Sequence, residues 1–130
     1  MELQWKLSAF NELPNPELYA ILQLRNAVFI VEQDCAYQDL DDKDLQALHL
    51  CGWQQNQLAA YCRLLPPGIS YPEASIGRIA TALAHRKGGH GRQLVQSAIS
   101  LALEKFDCSA ISISAKPGNR LFLLSIYESP

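Results

Sequence analysis

The residue types best suited to chemistry crowd into one stretch of this 130-residue chain. His85-Arg86-Lys87-Gly88-Gly89-His90-Gly91-Arg92 holds three of the seven glycines, interleaved with cations. No acidic residue falls between Glu73 and Glu104, an interval that also contains Arg78. Glycine lets backbone N–H groups converge on an anion because no Cβ blocks the approach. A helix starting directly after the glycines would add its N-terminal amides and positive dipole end. The segment reads as an anion cradle, most naturally for a pyrophosphate; the alternative is a flexible turn with a solvated basic face. G-x-G-x-x-G and G-x-x-x-x-G-K-[ST] are both absent, which disfavours the common dinucleotide and nucleoside-triphosphate loops.

Other candidates are sparser. Asp34, Asp39, Asp41, Asp42 and Asp44 fall within eleven residues. They read as a solvated loop that could attract a cationic amine. His49 offers an imidazole of suitable intrinsic pKa, or else a ring packed into a sheet. Cys35, Cys51, Cys62 and Cys108 form no C-x-x-C pair and have no histidines at metal-ligand spacing, so they read as reduced and structural, with no metal expected.

The elements that must position these groups follow from periodicity. Leu3, Trp5 and Leu7 alternate with polar residues, as on a half-buried strand. Asn15 as N-cap, Pro16 at the first helical position and Glu17 behind it predict an amphipathic helix over 16–30. A polar turn at 54–57 joins strands at 48–53 and 58–64 into a hairpin. Pro66, Pro67, Gly68 and Pro72 make 65–73 a loop, and 75–81 reads as a buried strand. Leu94, Val95, Ala98, Ile99, Ala102, Leu103 and Phe106 draw one apolar stripe along a helix, and 110–114 is a short strand. The Gly-rich loop therefore lies between a strand and a helix. The connection from 75–81 to 110–114 is long enough for a parallel crossover.

Apolar residues make up 48% and charged residues 18%, as in one globular domain spanning 1–130. Eleven basic against thirteen acidic residues disfavour a nucleic-acid binder. The N-terminus lacks a signal pattern and no apolar run approaches ~20 residues, so the expected location is cytoplasmic, with no membrane partner.

Arg86-x-x-Gly89-x-Gly91 after a strand resembles the acetyl-CoA signature of the GNAT N-acyltransferases. Leu24-Arg25-x-x-Val28-Phe29-x-x-Glu32-Gln33, Tyr37-Gln38-Asp39, His49-x-x-Gly52-Trp53 and Ile76-Gly77-Arg78 resemble the ElaA-like branch of that family. The resemblance covers roughly residues 1–114. It implies an α+β fold, with a mixed, mostly antiparallel sheet flanked by helices. It also implies an acetyl-CoA-dependent N-acetyltransferase in which a primary amine attacks the thioester directly. Arg86, Lys87, Gly88, Gly89, His90, Gly91 and Arg92 then hold the pyrophosphate, while Ile79, Ala80 and Thr81 pair with the pantetheine arm. The amine, small-molecule or peptidic, approaches near the first helix and its following loop. Glu32, ending that helix, is the candidate base, or a surface carboxylate. His49 and Arg78 are assigned to the substrate, although Arg78 could instead pair with a carboxylate.

The tail departs from that pattern. Relatives place a helix after the strand at 111–114, carrying a tyrosine that serves as general acid, and then two more strands. Here Lys116-Pro117-Gly118-Asn119 has the type II turn signature and 121–127 is an apolar run, which predicts a hairpin. The final strands of the family would be missing or replaced, and Tyr127 is the tail's only tyrosine for the acid role. Two functions are expected: an N-acetyltransferase, or a shortened, catalytically weak domain that binds CoA or a protein partner. A bare strand edge would also permit a homodimer.

Overall fold

The alternation of Leu3, Trp5 and Leu7 becomes edge strand β1 (Gln4–Ala9) in the computed structural model, which describes residues 2–34, 36, 38–86, 88–114 and, for the backbone, 122–125. β2 (Leu48–Gln54) and β3 (Gln57–Leu65) form the expected hairpin, with Gln55 in the left-handed region at φ 56°. β4 (Ala74–Thr81), β5 (Ala110–Ile113) and β6 (Phe122–Ser125) complete one sheet whose spatial order is its chain order, six strands among the described residues. Neighbours run antiparallel except β4 and β5, which are parallel. The crossover between them is α2 (His90–Phe106). The fold is mixed α+β, as expected.

The first helix differs from its expected limits. α1 (Asn15–Arg25) is capped by Pro14, whose carbonyl accepts the Leu18 amide at 3.0 Å, so Asn15 lies inside the first turn rather than capping it. The chain then continues as a π-wound segment, Asn26–Glu32, that buries Val28 and Phe29.

The helices cover opposite faces of the sheet. Leu94, Ala98 and Ala102 of α2 are fully buried against Leu50, Cys62, Leu64, Ile76 and Ile111. On the other face Ile21 and Leu24 of α1, with Val28 and Phe29, pack on Cys51, Tyr61 and Ala80. Among the described residues no helix is long and apolar enough to cross a membrane.

β6 pairs antiparallel with β5, Ile113 opposite Phe122 and Ile111 opposite Leu124, as the predicted hairpin requires. The proposed turn at 116–119 and Tyr127 lie outside the described residues.

Candidate active site

β4 and β5 are partners for only three residues. Ala74, Ser75 and Ile76 pair with Ile111, Ser112 and Ile113, and the Ser114 amide donates to the Ile76 carbonyl at 3.0 Å. Beyond that bond, residues 77–81 pair with β3 on one side and, among the described residues, with no strand on the other. Ile79, Ala80 and Thr81 lie on this open edge. Within it, Arg78 and Ile79 together oppose Cys62, a bulge at which Arg78 takes φ 51°.

The edge runs into the glycine loop. A 3-10 turn (Leu83–His85) follows β4, and Gly89 then caps α2 at φ +76°, a conformation that suits only glycine comfortably. The helical bonding of α2 opens with the Gln93 amide on the Gly89 carbonyl at 3.1 Å, so the amides before it have no i−4 carbonyl within the helix. A Cβ on Gly89 would meet nothing within 4 Å, and one on Gly91 only Thr81 Cγ2, at 3.9 Å. The first turn of α2 thus stands beside the end of the strand edge with open space at Gly89 and Gly91. Gly88 leads into this turn, His90 is buried with its ring tilted against His85, Arg92 is exposed, and Lys87 lies outside the described residues.

Arg86 bridges three elements. Its Nε donates to the Thr81 carbonyl at 3.1 Å, and its two Nη atoms donate to the Glu32 carboxylate at 2.5 and 2.7 Å. The hydrogen bond from Arg86 holds the Glu32 carboxyl below its ordinary pKa, so Glu32 is a weakened base while paired.

The aspartate loop is not a solvated lure for a cation. Asp39, Asp41 and Asp44 neutralise three arginines that arrive from α1, β3 and β4. Arg25, 1% exposed, donates Nη1 to Asp44 at 2.7 Å and Nε to Asp39 at 2.9 Å. Arg63 reaches Asp41 at 2.7 Å and Asp44 at 3.0 Å. Arg78 reaches Asp39 at 2.7 Å and Asp41 at 3.4 Å, so it pairs with carboxylates. Burial alone would raise the Asp44 carboxyl, but the Arg25 hydrogen bond and the charges of Arg25 and Arg63 outweigh it and hold it low. The same balance, with Arg63 and Arg78, depresses Asp41.

His49 is buried at 1% exposure with both ring nitrogens committed. The Tyr61 hydroxyl donates to Nδ1 at 2.7 Å, and Nε2 donates to the Asp44 carbonyl at 2.9 Å, the tautomer that these partners assign. Burial pushes its pKa down, so the ring is neutral. Together with Arg25 and Asp44 it floors a cavity of about 190 Å³ walled by apolar side chains of α1 and of the following loop, with Phe10 and the carboxylate of Asp42 also in the lining. Sequence reasoning did not find this cavity, nor the pairing of Arg25 and Arg63 with the loop, although it offered a carboxylate as the alternative partner of Arg78. The bulge, too, was not found, because 75–81 reads as a buried strand and its register depends on partners elsewhere in the chain.

The family model of the acetyltransferase (GNAT) family matches residues 15–122. A UPF0039 protein of Synechocystis is 40% identical over 117 residues, 89% of this chain and 76% of the relative. Protein ElaA of Escherichia coli is 34% identical over 129 residues, 98% of this chain and 82% of ElaA. The crystal structure of an acyl-CoA N-acyltransferase from Pseudomonas aeruginosa superposes with a TM-score of 0.80 at 39% identity, covering 85% of this chain and 77% of that one.

Proposed function

The chain belongs to the GNAT acetyltransferase family, in its ElaA-like branch, and from that premise we propose that it moves an acetyl group from acetyl-CoA to a primary amine by direct attack. The observation that carries this reading is the open edge of β4 running into the glycine cradle at the start of α2. Acetyl-CoA supplies an activated acyl thioester. The backbone of Ile79, Ala80 and Thr81 takes the extended arm as an added strand, through main-chain hydrogen bonds of the kind a sheet edge offers. Amides from Gly88 to Arg92 take the pyrophosphate at a helix N-terminus, where the dipole favours negative charge. Arg86 and Arg92 add positive charge there.

Glu32 is the base in this reading. Phosphate oxygens competing for Arg86 release its carboxylate and restore its basicity. Tyr127 takes the acid role. The non-reacting part of the acceptor enters the largely apolar cavity beside α1, where Arg25 and Asp44 satisfy each other, His49 is uncharged and the exposed Asp42 adds a carboxylate to the lining. His49 thus acts on the acceptor side by lining that cavity, and Arg78 acts there only through the loop aspartates with which it pairs.

The test is thermal unfolding with and without acetyl-CoA, followed by thiol release with a panel of amines. A ligand at a hundred times its dissociation constant stabilises the fold by about 2.7 kcal/mol, so the melting temperature should rise clearly. Thiol release should then depend on the amine. An unchanged melting temperature at saturating acetyl-CoA overturns the reading. Binding with no thiol release from any amine would favour a CoA-binding domain without turnover.

A further inference from the structure

Midway along its length, β4 changes face. Ile76 packs on the α2 side of the sheet, and so does Ile79, three residues later. In a regular strand an odd spacing puts residues on opposite faces. The bulge makes the switch: between the Tyr61–Ala80 and Arg63–Gly77 pairs, two residues of β4 oppose the single Cys62. It falls after Gly77, one residue beyond Ile76, whose carbonyl accepts the last described backbone bond from the β5 side. The place where the strand bends is the place where the cleft opens.

Arg78 at φ 51° occupies a left-handed conformation that a long side chain adopts only when its surroundings impose it. Its surroundings do so. Nε meets Asp39 Oδ1 at 2.7 Å, and Nη2 donates to the Asp39 carbonyl at 2.9 Å. Asp39 and Asp41 are in turn held by the buried guanidinium groups of Arg25 and Arg63. A loop between α1 and β2 thereby grips the side chain of the one residue of β4 that takes a left-handed backbone angle.

We propose that Arg78, clamped by Asp39 and Asp41, is a positioning residue that fixes the β4 bulge and so sets the spacing and direction of the open edge at 77–81. The consequence for acetyl-CoA rests on the reading that its arm pairs with that edge. Arg78 acts through the backbone of its own strand.

Two substitutions separate this role from a contribution to stability alone. Arg78→Ala removes the clamp and leaves a residue that disfavours the left-handed region. Arg78→Gly removes the same clamp but adopts that region without penalty. Acetyl-CoA affinity is measured by calorimetry on the full chain, with thermal unfolding and the backbone NMR resonances of residues 77–81 alongside. Arg78→Ala should weaken acetyl-CoA binding about tenfold and move residue 78 out of the left-handed range. Arg78→Gly should stay within about threefold of the parent although it also melts at a lower temperature. Asp39→Asn, which keeps the side-chain shape, should shift in the same direction as Arg78→Ala. A folded Arg78→Ala protein with parental affinity and unmoved resonances overturns the proposal, as does equal loss of binding in the two Arg78 variants. If the parent protein itself fails to bind acetyl-CoA, the pairing of the arm is wrong, and the resonance comparison alone still decides the clamp.

Discussion

Gly89 shows how one residue type can govern a binding site. Its φ of +76° costs other L-residues about 1–2 kcal/mol, and its open side is where an anion would approach. Gly89→Val should therefore abolish acetyl-CoA binding in calorimetry while circular dichroism shows the fold retained; parental affinity in the folded variant would remove the cradle. Glu32 joins two roles that one substitution separates. Glu32→Gln keeps the shape but loses the charge that engages Arg86. Loss of a base should lower kcat about a hundredfold, and loss of the ion pair should tighten acetyl-CoA binding. An unchanged kcat would leave Glu32 only as the partner of Arg86. Arg92 is exposed, so its attraction for phosphate is screened over about 8–10 Å. Arg92→Ala should weaken acetyl-CoA binding at low salt, and the difference from the parent should shrink at high salt. Equal loss at both would indicate a packing role.

At the scale of elements, the loop between α1 and β2 is the part most sensitive to acid. The Asp41 and Asp44 carboxyls are depressed in the folded chain, so their stabilisation is full above the ordinary value of 3.8 and is lost as pH falls through their folded values. His49 is also depressed, by burial. Its share is full above the ordinary value of 6.5 and is lost as pH falls below it and the ring is forced to take a proton. Urea denaturation should therefore show stability falling in two stages, the first below about pH 6.5 and the second below about pH 4. His49→Gln should flatten the first stage and spare the second. Asp44→Asn leaves Arg25 and Arg63 short of a buried counter-charge and should cost about 3–5 kcal/mol at pH 7.

For the whole molecule, the decisive feature is that two helices cover opposite faces of one sheet in which, among the described residues, β4 pairs with no strand on its β5 side beyond Ile76. Cys51 and Cys62 stand on adjacent strands yet belong to different faces, one packed under α1 and the other under α2. Burial pushes the Cys51 thiol up to about 12 and raises Cys62 as well. A thiol reagent should leave both unmodified in the native protein and label them on unfolding. Rapid labelling of either in the native state would mean that its helix lifts from the sheet. The relatives are longer, since this chain spans 76% of the Synechocystis protein and 82% of ElaA, while the cleft from Ile76 to Gly91 lies well inside the matched residues 15–122.

Local periodicity determined much of this architecture. The alternation at Leu3, Trp5 and Leu7 specified β1, the stripe from Leu94 to Phe106 specified α2, and the glycines at 88–91 marked the turn that opens that helix. These features are legible because each depends on neighbours a few residues away. Only the tertiary structure decided which charges meet. Arg25 finds Asp44 nineteen residues on, Arg63 reaches back twenty-two to Asp41, and Arg86 meets Glu32 across fifty-four. A sequence pattern reports the face a side chain takes, not the group that it meets there. The aspartates that read as solvated are closed by ion pairs across the fold, and the His49 ring is fixed by the Tyr61 hydroxyl and the Asp44 carbonyl.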